Sequence, residues 1–391
     1  MTSHAELLDF LALAGSGDHV WFAKRLSSND TGVNGSHQSG IYIPKYIGFA
    51  AFSTIDTSKE NPKVIIDQCL FRSHNLVVDG LHVTYYNNKH TRKSGTRDEF
   101  RITRMGGLAS PVHDSEATGA ILLMCFDCHR AANKCYGWVA RSREEELTID
   151  SWLGRELEPG QLISNVLDTK QAPKFDVPGQ WLEHFPKGSE IFDYVVATER
   201  QLLPVDKRLL QRRQREWALF QSIEASHVMP RIREGFSDVE SFIQFANSTT
   251  NRRKSRAGTS LELNLSRIFD EETVKYQQQQ VTEHKKKPDF IFPSAAAYRD
   301  QTYPVRQLDM LAAKTCCKDR WRQVINEAGR LSEKHLFTLQ EGISDTQLTE
   351  MFSEGVQLVV PEPHLRFFSR VARPRLLTLA DFINRRLELQ D

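Results

Sequence analysis

Residues 287–327 read KPDFIFPSAAAYRDQTYPVRQLDMLAAKTCCKDRWRQVINE, a stretch that places an acid, a lysine and a second acid close together in the chain. The aromatic and β-branched run 290–292 precedes a proline, which predicts a buried strand with Asp289 at its start. A second apolar run, 308–313, predicts a strand that ends at Lys314. Because side chains at strand ends can converge on one cleft, we expect Asp289 and Lys314 to lie near each other.

From Asp319 onward the spacing of the apolar residues becomes helical, with one stripe formed by Trp321, Val324, Ile325, Ala328 and Leu331. This spacing predicts a helix whose polar flank carries Arg320, Gln323 and Glu327. Two carboxylates can hold a hard cation against a phosphate, and an ammonium beside them can orient water and offset developing charge. The pattern therefore predicts a nuclease in which Asp289 and Glu327 bind Mg²⁺ and Lys314 positions the water. The alternative for Asp289 and Lys314 is a Pro-Asp turn and a solvated lysine.

The wider sequence resembles the EcoRII-type restriction endonucleases of the PD-(D/E)XK superfamily. The segments of the C-terminal half that carry the resemblance are RRKSRAG leading into SLE (252–262), KKPDF (286–290) and KTCCKDRWRQ (314–323). Those of the N-terminal half are 24–27, 29–32, 37–38, 42–44, 96–99 and 101–104. The resemblance covers nearly the whole chain. It implies a homodimeric type IIE enzyme with an effector domain and a catalytic domain, accompanied by a cognate DNA methyltransferase.

The resemblance also implies roles for the acidic residues. The spacing from Lys314 to Glu327 is similar to the variant in which the second acid has moved from the strand onto the following helix. Glu262, on a helix predicted to open after a glycine, resembles the additional acidic residue of the family. It would be a second metal ligand or a residue that supports the ligands, and the alternative is an exposed helical glutamate.

Sequence reading is expected just after the lysine, at Lys318, Asp319 and Arg320. Lysine and arginine donate to guanine O6 and N7 in the major groove, whereas aspartate accepts from cytosine N4. The three residues resemble the triplet with which the family reads CC and GG, which implies a target like CCWGG. Lys254, in the basic run 252–256, is a further candidate for contact with DNA.

Trp181 and Arg213 resemble the residues with which such catalytic domains hold extruded central bases. An aromatic face and a guanidinium plane are both suited to stacking on a flipped base. The alternative for Trp181 is a core residue that anchors the start of the second domain.

A second set of candidates would bind effector DNA in the N-terminal half. Glu99 lies between Arg97 and Arg101. A glutamate at this place indicates either recognition of cytosine or an ion pair with one of the two arginines. By resemblance, this domain blocks the catalytic cleft until it captures a second copy of the target. The candidates are Lys24, Arg25, His37, Lys93, Arg97, Glu99 and Arg101.

Composition sets limits on the class of protein. The 391 residues are enough for two domains, and 40% hydrophobic with 26% charged residues is ordinary for a soluble protein. The formal charge of +1 hides local basic runs, which is where contact with DNA is expected. The apolar runs are too short for a membrane span, and the N-terminus reads as an amphipathic helix, so we expect a cytoplasmic protein.

The pattern along the chain predicts two domains of different class. Short strands dominate 20–166, with examples at 39–43, 64–70, 81–86, 120–125 and 135–140. Helical patterns follow at 207–225, 238–246 and 260–269. We therefore expect a β-rich barrel-like domain (1–167), a linker (168–180) and an α/β domain (181–391). The resemblance specifies them as a DNA-binding pseudobarrel and a restriction-endonuclease-like core with a central mixed sheet.

The cysteines offer other chemistry that we consider weaker. Cys125 to His129 spells CxxCH, the pattern of c-type haem attachment, and with Cys135 it also fits the start of a zinc site. A strand at Cys125 followed by a loop explains the same residues, because no second matched pair is present. Cys316 and Cys317 lack a neighbouring base and are expected to serve packing.

Two rival functions share this pattern. One is a DNA-binding regulator whose nuclease core no longer cuts, and the intact set Asp289, Lys314 and Glu327 argues against it. The other is a structure-specific repair nuclease, which would need neither the triplet after Lys314 nor a second reading domain.

Overall fold

The computed structural model describes residues 3–35, 40–127, 133–166 and 175–390. The chain divides into two compact units. The first comprises Met1–Thr169, Gln340–Leu348 and Arg366–Ala372, and the second comprises Lys170–Leu339, Thr349–Leu365 and Arg373–Asp391. Two short segments of the C-terminal half thus belong to the first unit. In the described part of the chain, no helix combines the length and apolar composition needed to span a bilayer.

The first unit is built on one sheet. Its strands within the described residues are β1 (His19–Arg25), β2 (Ile41–Ile43), β3 (Lys63–Phe71), β4 (Leu76–Tyr86), β5 (Glu99–Thr103), β6 (Ile121–Asp127), β7 (Lys134–Val139) and β8 (Leu162–Ser164). They lie in the order β2-β5-β4-β3-β7-β6-β1-β8. The neighbours are antiparallel except β3 and β7, which are parallel. The predicted β-rich half is confirmed, with shifted strand ends.

Both faces of this sheet are covered, as β6 shows. Leu122, Met124 and Phe126 point into one apolar core, whereas Ile121 and Leu123 point into another. Alternate residues of a strand face opposite sides of the sheet, so a strand covered on both sides is apolar throughout. This burial explains the continuous run ILLMCF.

Short helices complete the first unit. They are α1 (Ser3–Ala14), α2 (Ser28–Thr31), α3 (Lys45–Ala51), α4 (Asn88–Thr91) and α5 (Arg143–Leu153). Leu7, Phe10, Leu11 and Ala14 recur on one face of α1 and are buried against the sheet. The amphipathic N-terminal helix expected from the sequence is therefore confirmed.

Two long helices characterise the chain after residue 175. The helices from there on are α6 (Gln180–Glu183), α7 (Gly188–Ala197), α8 (Val205–Glu234), α9 (Val239–Glu271), α10 (Ala295–Arg299), α11 (Trp321–Val324), α12 (Asp345–Ser353) and α13 (Leu379–Glu388). The prediction that a new helix opens after Gly258 is wrong, because α9 continues through it. Ion pairs from Arg253 to Glu224 (2.6 Å) and from Arg256 to Glu216 (3.3 Å) hold this polar part of α9 against α8.

A mixed sheet forms the core of the second unit. Its strands within the described residues are β9 (Gln277–Gln278), β10 (Phe290–Phe292), β11 (Asp309–Lys314), β12 (Lys334–Thr338), β13 (Val356–Val360) and β14 (Leu377–Thr378). They lie in the order β14-β13-β12-β11-β10-β9. β10 is antiparallel to both of its neighbours, β9 and β11, whereas β11 to β14 run parallel to one another. The predicted central mixed sheet is confirmed.

The segment after β11 departs from the predicted helix. α11 ends at Val324, and Glu327 lies in the bend that follows, where its backbone N–H donates to the carbonyl of Val324 (3.0 Å). Ala328 has a positive φ of 46°, which no helix continues through. The placement of Glu327 on a helix is therefore wrong. Trp321, Val324 and Ala328 are nevertheless buried, as their apolar spacing predicted.

Candidate active site and DNA-contact residues

Asp289 and Lys314 form the centre of the candidate active site. Antiparallel pairing sets Phe290 opposite Leu311, so the residue before β10 and the last residue of β11 share one edge of the sheet. The Oδ2 of Asp289 accepts hydrogen bonds from Lys314 Nζ (2.9 Å) and from the backbone N–H of Ala313 (2.8 Å). Asp289 is only 6% exposed. The predicted proximity is confirmed, and two donors from β11 fix the carboxylate.

Glu262 reaches the same place from α9. The side-chain amide of Gln279 donates to Glu262 Oε2 (3.1 Å) and to Asp289 Oδ1 (3.1 Å). Burial raises the pKa of Glu262, and the negative charge of Asp289 raises it further, whereas Gln279 and Lys314 lower it. Glu262 is thus half-buried beside Asp289, and it is not the exposed helical glutamate of the alternative interpretation.

Glu327 is the third carboxyl group of the cluster. Burial raises the pKa of Glu327 to about 7; the Lys314 ammonium lowers it and the Asp289 carboxylate raises it. Among the described residues, no donor hydrogen-bonds to its buried Oε2. The structure therefore brings Asp289, Lys314, Glu262 and Glu327 into electrostatic range of one another.

These side chains fit a hard divalent cation. Carboxylate oxygens are the ligands that Mg²⁺ prefers, and it commonly takes one or two of them with phosphate and water completing its shell. The buried and unpartnered Oε2 of Glu327 is an acceptor that such a cation would satisfy. Within the described ranges, no group of three or more His, Cys, Asp or Glu forms a ready-made metal cage. A site with Asp289 and Glu327 as its two protein ligands does not require one.

The predicted base-reading triplet forms a single tight turn. Lys318 to Arg320 is a 3₁₀ turn that leads into α11, four residues after Lys314. The Asp319 side chain is 44% exposed and lies 4.0 Å from the Arg322 guanidinium. The preceding cysteines are buried, as expected for packing, and burial raises the pKa of the Cys317 thiol. The turn thus presents an accessible carboxylate close to the candidate catalytic lysine.

The remaining candidates of the C-terminal half lie in different environments. Trp181 is 6% exposed, packs edge-on against Tyr194 (5.2 Å between ring centroids) and belongs to an apolar cluster. Arg213 is buried on α8 and donates to the Ser260 hydroxyl (2.9 Å). Lys254 is exposed on α9. The burial of Trp181 favours the core-anchor alternative for the free protein.

The basic pair at the end of β1 serves the first unit itself. Lys24 Nζ pairs with Asp30 (2.7 Å). Arg25 is 4% exposed and donates to Glu146 (3.0 Å) and to the carbonyls of Leu157 (2.6 Å) and Gly119 (2.7 Å). The Arg25 guanidinium therefore holds three parts of the unit together. His37 lies outside the described residues.

The candidates around β5 are more accessible. Lys93 and Arg97 are exposed, and the Arg97 guanidinium lies over the Tyr86 ring (5.2 Å). Glu99 pairs with Arg101 (2.7 Å), as the ion-pair alternative for this glutamate predicted. Lys93 and Arg97 are thus the side chains of this set that have the most free surface.

Cys125 and Gln279 were not among the predicted site residues. Cys125 lies in β6, which confirms it as a strand residue, whereas Cys128 and His129 fall outside the described ranges. Gln279 contacts two of the candidate acids, and sequence analysis missed it. Its only signal was a run of four glutamines, and such a run does not indicate which side chain faces a carboxylate.

Comparison with known proteins gives matches for both halves of the chain. Residues 15–169 match the family model "Restriction endonuclease EcoRII, N-terminal", and residues 220–383 match "EcoRII C terminal". The type II restriction enzyme EcoRII of Escherichia coli is 43% identical over 378 residues, which cover 93% of this chain and 92% of the relative.

Two solved structures also show similarity, at lower coverage. Metal-depleted Ecl18kI in complex with uncleaved, modified DNA has a TM-score of 0.44 and 18% identity, covering 55% of this chain and 85% of that chain. The restriction endonuclease PspGI-substrate DNA complex has a TM-score of 0.40 and 12% identity, covering 57% of this chain and 97% of that chain.

Proposed function

The chain belongs to the EcoRII family of type II restriction endonucleases, and we propose that it cuts double-stranded DNA at a CCWGG-like palindrome by Mg²⁺-dependent phosphodiester hydrolysis. One observation carries the chemical part of this proposal. Lys314 Nζ and the carboxylate of Asp289 are 2.9 Å apart at one sheet edge, with Glu262 and Glu327 beside them. An acid, a lysine and further acids in this arrangement suit attack of water on a phosphodiester.

The roles of the residues follow from their contacts. Asp289 and Glu327 would hold the cation, which when bound supplies positive charge to the scissile phosphate and to the attacking water. The Ala313 N–H and Lys314 fix the orientation of Asp289 before substrate arrives. The ammonium of Lys314 would orient the water and offset the charge that develops on the phosphate. Glu262 would act as a second ligand or support Asp289.

Recognition of the target is assigned to the turn after the lysine. Lys318 and Arg320 would donate to guanines and Asp319 would accept from cytosine, a combination suited to G·C pairs. The exposure of the Asp319 side chain supports this role. Lys254 would contact the DNA backbone from the exposed face of α9.

Trp181 and Arg213 remain our candidates for holding extruded central bases. Both are buried in the free protein, so stacking on a base requires the apolar cluster around Trp181 to rearrange. These two side chains are suited to hold an extruded base, because every base presents a face that can stack on a ring or a guanidinium.

Regulation is the remaining part of the proposal. The first unit would bind an effector copy of the target through the exposed side chains of Lys93 and Arg97, together with the paired Arg101 and Glu99 of β5. Lys24 and Arg25 would contribute through their ion pairs with Asp30 and Glu146, which stabilise this unit. Without effector DNA the unit would inhibit cleavage. The enzyme would act as a homodimer, since a palindrome has two-fold symmetry, and a cognate methyltransferase would protect host sites.

The experiment that tests the function is a digestion with mapped ends. Purified protein is incubated with Mg²⁺ and a plasmid that carries several CCWGG sites, beside Lys314→Ala, and the fragment ends are sequenced. We expect discrete ends at one palindrome that are absent with the variant or with EDTA. Tight DNA binding without cleavage would instead indicate a regulator, and ragged ends would indicate a repair nuclease.

A further inference from the structure

Gln279 bridges two of the candidate acids from outside the predicted catalytic set. Its amide nitrogen donates to Asp289 Oδ1 and to Glu262 Oε2, at 3.1 Å each. Both partners are acceptors when ionised, so the NH₂ group must be the end that faces them. The backbone N–H of Gln279 also donates to the Asp289 carbonyl (3.2 Å), which fixes the residue beside the acid.

The bridging nitrogen lies where a cation shared by these two acids would bind. Asp289 and Glu262 would hold such a cation through their carboxylate oxygens, which are the ligands that Mg²⁺ prefers. The NH₂ group, with its partial positive charge, borders that same space. The amide and the cation therefore compete for the Asp289 and Glu262 oxygens, and the amide must move when the cation enters.

Asp289 does not depend on Gln279 for its orientation. Its other oxygen, Oδ2, is held by the Ala313 N–H (2.8 Å) and by Lys314 Nζ (2.9 Å). Glu262 lies within α9, away from the helix ends, so the helix backbone fixes its position. Gln279 itself is exposed, so its side chain has solvent to move into. Loss of the amide would therefore release the two oxygens without disordering the acids.

We propose that the Gln279 amide occupies the place of a cation in the free protein: it bridges Asp289 and Glu262 and is displaced when the metal binds. This inference rests on the proposed metal-dependent function in the form in which Glu262 is a metal ligand beside Asp289. It predicts that removal of the amide strengthens binding of a divalent cation. The competing donor is then gone, and no amide hydrogen bond offsets the negative charge of the two acids. The expected change in the dissociation constant is about threefold to tenfold, which is the size of the net contribution of an ordinary hydrogen bond.

Calorimetric titration with Ca²⁺ alone tests the inference without any cleavage. The metal-free full-length protein is compared with Gln279→Ala and with Gln280→Ala, a matched control whose amide donates to the backbone carbonyl of Gln278 (3.0 Å). Gln279→Met keeps a long side chain without a donor. It serves as the second test variant if Gln279→Ala does not fold properly. We expect tighter Ca²⁺ binding in both Gln279 variants and no change in the control.

The outcomes separate this inference from the function on which it rests. Asp289→Ala is titrated in parallel and should lose the binding. If it does, and the Gln279 variants bind Ca²⁺ as the wild type does or more weakly, the competition is refuted while the metal site stands. If the wild type binds no Ca²⁺ that depends on Asp289, the metal site is refuted and the inference with it.

Discussion

Replacing Arg25 with alanine should destabilise the first unit strongly. The guanidinium is 4% exposed and bonds to Glu146 and to the carbonyls of Leu157 and Gly119. Removing one partner of a buried ion pair costs about 3–5 kcal/mol, because the other charge stays buried. Glu146 keeps a second partner, Arg143 at 3.1 Å, so we expect the lower end, about 3 kcal/mol.

Calorimetric melting of the full chain measures this cost. A loss of about 3 kcal/mol in a unit of this size lowers the melting temperature by about 6–12 °C. Arg97→Ala is the matched control, because Arg97 is exposed and surface substitutions change stability by about 0.5 kcal/mol or less. Binding of a CCWGG duplex is measured with both variants. An Arg25→Ala variant that melts like the wild type but has lost this binding would refute the structural role and restore Arg25 as a DNA contact.

Further expected outcomes concern stability, specificity and regulation. Burial raises the pKa of Asp150 from 3.8 to about 6, so its ionisation destabilises the folded unit increasingly between these pH values and fully above them. Asp150→Asn should therefore leave stability at pH 4 nearly unchanged and raise it at pH 8 by up to about 3 kcal/mol, as denaturant unfolding at the two pH values would show. Arg320→Ala should keep its fold by circular dichroism and relax cleavage specificity; unchanged fragment ends would contradict the base-reading role. A 2-aminopurine at the central position of the target should brighten on binding, and Trp181→Ala should weaken that signal. Protein lacking residues 1–167 should cut single-site DNA faster than the full chain, and equal rates would contradict autoinhibition.

The position of the candidate catalytic pair, Asp289 and Lys314, was predictable because it depends on strand patterns. The run 290–292 is apolar, and the run 308–313 is apolar apart from Asp309, since both strands are buried in the sheet, and each run is flanked by a polar residue on one side. Asp289 and Lys314 stand at those ends, so their meeting follows from antiparallel pairing.

Helix bounds were less predictable, for physical reasons that differ between two sites. After α11, Trp321, Val324 and Ala328 are buried at helical spacing although the helix stops at Val324, because irregular backbone can bury the same side chains. In α9, Gly258 marks no boundary, since ion pairs to α8 outweigh its low helix preference.

Contacts between distant polar groups could not be predicted at all. Gln279 touches an acid 17 positions earlier and one 10 positions later, and neither spacing follows a helix or strand period. Arg25 and Glu146 are 121 residues apart. A basic residue in a sequence indicates DNA contact and buried ion pairing equally well, and the fold decides between them.

Asp289 is expected to be required for cutting DNA and not for binding it. The direct measurement is the single-turnover cleavage rate of a CCWGG duplex with Mg²⁺, beside the dissociation constant for the same duplex with Ca²⁺. Asp193→Ala, an exposed change on α7, serves as the control. We expect Asp289→Ala to bind the duplex and leave it intact while Asp193→Ala cuts like the wild type. Full cleavage by Asp289→Ala would contradict the proposed role of Asp289 in cleavage.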